Sequence, residues 1–191
     1  MRNPLRSLAI IALSASLLLG CATTSTQEGA GPSTSTERRN LQAMADDETT
    51  ALAISKSIYT DENLRHNVHI NAHSYNGVVL LTGEAPNEAL RSQSIEHARH
   101  ITNIKRIHNE IRISPKADLR SRSYDKWLST KVKAKLIGEK KINAINVQVI
   151  AETKSLYLMG LVSRAEGQIA SDIARRVSGV KEVITLFEYT D

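Results

Sequence analysis

The chain has 191 residues, 41% of them apolar but only 4% aromatic, so any core has to be built from Ile, Val, Leu and Ala. Its formal charge of +5 falls to +3 if Arg2 and Arg6 leave with an N-terminal leader (5 − 2 = 3), too mild and too evenly mixed with acids to argue for nucleic acid. A single cysteine excludes an intrachain disulfide.

The leader comes first in chain order. "MRNPLRSLAIIALSASLLLGC" joins a short basic start to an apolar run over residues 8–19, too short to span a membrane comfortably, and residues 1–20 are expected to be a secretory signal. The ending Leu18-Leu19-Gly20-Cys21 resembles the bacterial lipoprotein box, which implies that Cys21 is acylated. The alternative is an ordinary signal with an incidental cysteine, although a lone thiol is an odd group to export. Ala22 stands where an inner-membrane lipoprotein would carry Asp, which implies the outer membrane, periplasmic face. The stretch that follows, "ATTSTQEGAGPSTSTERRN", has almost nothing to bury. Residues 21–45 are expected to be a disordered tether with a mean reach of roughly 25 Å.

The remainder repeats itself. "NGVVLLTGEAPNEA" answers "KSLYLMGLVSRAEG", pairing Val79 with Leu156, Leu81 with Leu158 and Gly83 with Gly160. Downstream, "HARHITNIKRIHNEI" matches "IARRVSGVKEVITLF". The copies are placed at 46–114 and 123–191, joined by a linker over 115–122. Each reads helix–strand–strand–helix–strand. First helices are expected over 47–59 and 124–137. A hairpin around Tyr75-Asn76-Gly77 joins strands over 68–74 and 78–82, and the second hairpin turns near residues 152–154. Pro86 and Asn87 start the next helix of copy one and Asn103 can end it. In copy two Ser163 and Glu166 form a capping box, with a stop at Ser178-Gly179. Last strands are expected over 105–113 and 181–189. The fold class is α+β: two tandem units, each αββαβ, with a small three-stranded mixed sheet and two helices on one face. Units of this size bury little core alone, so they are expected to pack together.

The repeat, with its glycine after strand two, resembles the BON domain of bacterial envelope proteins. Together with the lipoprotein box and the double copy, the chain is similar to two-BON outer-membrane lipoproteins. That resemblance implies binding of anionic phospholipid, support of outer-membrane integrity and enrichment at division sites. Gly83 and Gly160 are the structural glycines, suited to a positive φ or a close backbone approach.

Nothing in the sequence suggests an enzyme or a cofactor. No phosphate-binding loop, nucleophile elbow or HExxH is present. All six histidines lie in the first copy; His69 and His73 share a strand face near His66, but no ligand set completes a metal site, and solvent-facing polar positions are the expectation. Asp46, Asp47 and Glu48 are read as acids at a helix start, suited to its dipole.

The two first helices differ most. Residues 46–62 hold five acids and one lysine, net −4, and residues 125–141 hold six lysines and two acids, net +4. Leu128, Val132 and Leu136 recur at i, i+4, i+8 as a core stripe, which leaves Trp127, the chain's one tryptophan, beside it. Thr49 aligns with Trp127 in copy one, so the core does not require an aromatic there. Trp127, Lys131, Lys133, Lys135 and Ile137 are therefore the candidate phospholipid-binding residues. The alternative is that Trp127 packs against the first domain or a loop. At about 1 kcal/mol per lysine, the face supplies about 4–6 kcal/mol, or roughly millimolar to submillimolar affinity. That is too weak for an anchor and enough to select lipid for a tethered domain. The competing partners are outer-membrane assembly proteins or peptidoglycan-associated ones; no small-molecule substrate is expected.

Overall fold

The structure, a computed structural model, describes residues 41–191; the expectations for Cys21 and the signal segment fall outside them. Copy one consists of helices α1 (Leu41–Thr60) and α2 (Glu62–Asn67), strands β1 (His69–Tyr75) and β2 (Val78–Ala85), helix α3 (Glu88–Arg99) and strand β3 (Arg106–Ile113). Copy two has helix α4 (Leu119–Ile137), a 3₁₀ turn (Ala144–Asn146), strands β4 (Val147–Glu152) and β5 (Ser155–Val162), helix α5 (Arg164–Arg175) and strand β6 (Glu182–Tyr189). Both first helices begin earlier than the sequence pattern suggests. Residues 41–45 are helical rather than tether, and the linker ends where α4 starts. The short α2, capped by the Asp61 carboxylate on the Leu64 amide, has no counterpart in copy two.

In each copy the first two strands form an antiparallel hairpin and the third lies parallel to the second, so the strand orders are β1-β2-β3 and β4-β5-β6. A long connection is needed to return a strand parallel to its neighbour, and α3 and α5 supply it. The capping box at the start of α5 is present: Ser163 and Glu166 satisfy each other's backbone amides. Asn87 caps α3 through the Leu90 amide.

The hairpin turns carry backbone strain. Asn76 and Gly77 have φ of 52° and 77°, the left-handed pair that a two-residue hairpin demands. Thr153 and Lys154 take the same conformation, at 50° and 67°, with no glycine to ease it. A left-handed non-glycine residue costs about 1–2 kcal/mol. Each turn is held by a buried carboxylate from the first helix. Asp47 accepts from the amides of Asn76 (2.7 Å) and Gly77 (3.0 Å), and Asp125 from those of Thr153 (2.8 Å) and Lys154 (2.9 Å). Hydrogen bonds to a charged group contribute about 1.5–3 kcal/mol each, enough to outweigh the strain. Asp47 therefore does not sit at a helix start serving the dipole. It lies inside α1 and clamps the hairpin.

In each copy the first long helix and the crossover helix cover one face of the sheet. Ile54 and Ile58 of α1 meet Val79, Leu81 and Ile111, and Leu128, Val132 and Leu136 of α4 meet Leu156 and Leu158, all buried. The opposite sheet faces pack on each other. Tyr75, Val78 and Leu80 of copy one form a third core with Ile150, Tyr157 and Met159 of copy two. The layers run helix, sheet, sheet, helix, within one compact unit. With cover on both sides, β2 is buried along its whole length. The expected packing of the two units on each other is what the structure has.

This junction corrects the reading of the histidines. His69 and His73 lie on the same side of β1 as Tyr75, facing the second sheet rather than solvent. His69 reaches the buried Glu84 at 3.5 Å, and Glu84 is held by Arg112 at 2.6 Å and by the Ala117 amide at 3.2 Å. The two repeat glycines sit where backbones press together. A Cβ at Gly83 would overlap the His69 carbonyl, and one at Gly160 the Asn146 carbonyl. Gly83 also has φ of 114°, whereas Gly160 does not enter the positive-φ region.

Candidate functional site

Helix α4 presents two opposite stripes. The inward one, Leu128–Val132–Leu136, is fully buried. A residue turns 100° about the axis, so Trp127, Thr130, Ala134 and Ile137 fall within about 80° of one another on the outward side. All four are exposed, with Trp127 at 51% and Ile137 at 68%. Lys131 and Lys135 flank this ridge on one side, Lys126 and Lys133 on the other.

Trp127 is exposed but braced. Its ring rests against Tyr124, three residues earlier on the same helix, with centroids 5.4 Å apart. Tyr124 lies against Gly179, whose φ of 102° and missing side chain leave room for the phenol. From the other side the Lys131 ammonium stands 4.6 Å from the Trp127 ring centroid and donates to the Ser178 carbonyl at 3.3 Å. The indole is thus presented outward, half exposed, on a platform of Tyr124 and Lys131. Tyr124 and Gly179 are contributors that the sequence reading missed. The i, i+3 spacing of Tyr124 and Trp127 was the available signal.

The five lysine-and-apolar candidates are not equivalent. Lys135 is exposed and Lys131 is half-buried by its contact with Trp127. Lys133 has a different job from the expected fan. Its ammonium donates to the carbonyls of Ala144 (2.6 Å) and Val147 (2.5 Å), where β4 begins at the sheet edge. Burial pushes its pKa below the usual lysine value. It braces the fold beside Ile137 rather than extending freely.

In copy one the equivalent outward positions are Thr49, Leu52, Lys56 and Tyr59. Tyr59 is turned inward: its hydroxyl exchanges hydrogen bonds with the backbone of Ile70 at 2.8 and 2.9 Å. The outward ridge therefore has an aromatic and a basic rim in α4 only. Among the described residues no group of His, Asp and Glu is arranged to hold a metal, and no helix is long and apolar enough to cross a membrane.

Comparison with known proteins gives a consistent set of likenesses. The BON domain family matches residues 46–115 and 124–191. The chain is 34% identical to the "Outer membrane lipoprotein DolP" of Haemophilus influenzae over 190 residues, covering 99% of this chain and 98% of that protein. It is 32% identical to the "21 kDa hemolysin" of Actinobacillus pleuropneumoniae over 151 residues, 79% of this chain and 78% of the relative. The "Osmotically-inducible protein Y" of Escherichia coli is 22% identical over 161 residues, 83% of this chain and 80% of that protein.

Proposed function

Because the chain belongs to the BON domain family and carries the domain twice, we propose that it is an outer-membrane lipoprotein, anchored through Cys21 on the periplasmic face, whose second domain settles on anionic phospholipid. The observation that carries this reading is the exposed Trp127, braced by Tyr124 and Lys131 on a ridge that ends at Ile137 and is rimmed by Lys126 and Lys135. An amphipathic indole beside ammonium groups suits the headgroup layer, where the ring is half apolar and the charges meet phosphate. Lysines near an anionic surface contribute about 1 kcal/mol each, so the face binds weakly and depends on the acyl anchor to hold it within reach. The helix selects lipid and Cys21 retains the protein. Support of outer-membrane integrity and action at division sites are the cellular roles that fit this reading.

The test is co-sedimentation of residues 41–191 with vesicles, with and without anionic lipid, read together with Trp fluorescence. Binding to anionic vesicles accompanied by a blue shift supports the reading. Equal binding to neutral vesicles, or no shift, overturns it. A Cys21→Ala chain recovered at the outer membrane with normal lipid labelling would remove the anchor assignment.

A second reading, docking to an outer-membrane assembly protein, draws on a separate feature. The exposed Met44, Leu52 and Ile145 line a groove of about 500 Å³ between α1 and the start of β4. Crosslinks from Leu52 to a protein, with vesicle binding absent, would favour it.

A further inference from the structure

We propose that the face between the two sheets is an acid-sensitive clasp: His69, His73 and His108 let the domains close on each other while uncharged, and their protonation loosens the junction. Three of the six histidines of the chain share this face, one on each of three sites along β1 and β3, and all three are half-buried. The other three lie elsewhere. His66 and His100 are exposed, and His97 sits on α3 against Ser57.

Each junction histidine has a defined surrounding. His69 faces Glu84, which Arg112 already neutralises, and the positive Lys116 and Arg122 stand near it. From the second sheet Glu152 approaches Glu84 and Arg112. His73 pairs in register with Leu80 and borders the groove shared with Asp47, Glu48 and Lys133, of which Asp47 and Lys133 are already held by the hairpin amides and by backbone carbonyls. His108 lies between Arg106 and Glu110, and Glu110 accepts from Tyr157 of the opposite sheet at 3.3 Å, with Glu182 close to Tyr157. At the end of the junction Asn76 donates to Glu188 at 2.7 Å, with Lys105 at 3.9 Å. The carboxylates nearest His69 and His108 therefore already have other partners.

The sign follows from burial. For all three histidines desolvation is the leading influence, and it pushes the pKa below the ordinary value. The closed form then binds fewer protons than the open one, so the clasp is complete above about pH 6.5 and weakens as pH falls below it. Glu152 works the other way. Its pKa is raised, first by burial and then by Glu84 and Asp125, so it takes a proton more readily in the closed form and favours closure on acidification. Three histidines oppose the one glutamate, so the net effect of acid is to loosen the junction. The clasp stands independently of the lipid reading.

The chain contains its own reporters. Met159 is fully buried in the junction, whereas Met44 is 43% exposed on α1. Hydroxyl-radical footprinting of the full-length acylated protein, in vesicles of zwitterionic lipid, should give a Met159-to-Met44 oxidation ratio that rises several-fold between pH 7.5 and 5.5 while the far-UV circular dichroism stays constant. His69→Gln with His73→Gln and His108→Gln should flatten the ratio. Should that triple variant fail to fold, His73→Gln alone should shrink the rise, and Glu152→Gln alone should steepen it. A flat ratio in the parent chain, an equal rise in the histidine variants, or a rise that tracks loss of helix signal overturns the proposal.

Discussion

Helices α1 and α4 are the same element built twice, and their inner faces are nearly interchangeable. Each places two or three aliphatic residues on its sheet, and each sends one aspartate, Asp47 or Asp125, to the amides of a hairpin turn. Their outer faces share little. α4 shows Trp127 and Ile137 among lysines, and α1 shows Thr49 and Leu52 among acids. The fold constrains the inward half of a duplicated helix and leaves the outward half free to acquire a task. A difference confined to the outward half is therefore where function is to be sought.

The comparison can be broken from the inside first. Gly83→Ala and Gly160→Ala both force a side chain into a backbone carbonyl, and Gly83→Ala adds a positive φ. Urea denaturation should show a loss of about 2 kcal/mol for Gly160→Ala, and about 1–3 kcal/mol more for Gly83→Ala. Equal losses would mean that the φ difference carries no energy. Asp47→Ala and Asp125→Ala each leave two turn amides without their acceptor, at about 3 kcal/mol by the same measurement. Asp47→Ala also strands the buried Ser74 hydroxyl, which donates to that carboxylate at 2.7 Å, while Asp125→Ala leaves Thr153 and Lys154 with no glycine to relax with, so the two losses should be comparable. A smaller loss at Asp125 would show that the clamp is not what holds that turn.

From the outside the effects on stability should be small and those on binding clear. Trp127→Ala should change stability by less than about 1 kcal/mol, since the ring rests on the surface, yet weaken anionic-vesicle binding of residues 41–191 about tenfold. Unfolding of the variant would place Trp127 in the core and sink the distinction. Lys131→Glu with Lys135→Glu should also weaken binding and reduce its salt dependence, because exposed charges are screened over about 10 Å at 0.1 M salt. Lys56→Glu on α1 should do neither. Lys133 makes a poor probe, because Lys133→Glu would set a carboxylate against the carbonyls of Ala144 and Val147.

The repeat, the hairpin at Asn76-Gly77, the capping box at Ser163 and the core stripe from Leu128 were all readable, since each depends on residues near one another in sequence. What escaped depends on cover arriving from far away. Strand β1, "HINAHSY", alternates as a one-sided strand does, and its polar side reads as solvent-facing until a second sheet lies on it. The same holds for Glu84 and Glu152, buried only because two domains meet. Trp127 was legible by elimination, as an aromatic at a position its twin fills with threonine. Its platform of Tyr124 and Gly179 was not, because Gly179 sits 55 positions after Tyr124. The aspartate clamp left a trace, an Asp at the same place in both copies, but aspartate near a helix start has a commoner explanation in the dipole. Lys133 looked like its neighbours because a lysine's reach to a carbonyl 11 residues away is invisible in a helical pattern.

The sheet-on-sheet junction also sets a limit on dissection. Cutting the chain in the 114–118 segment would leave each half with a bare apolar sheet: Val78 and Leu80 on one, Ile150, Tyr157 and Met159 on the other. Such a surface would seek any greasy contact, including a vesicle or a second half-molecule. A severed second domain that clung to lipid would then report its wound rather than its helix. The unit to purify, titrate or graft onto another protein is the pair.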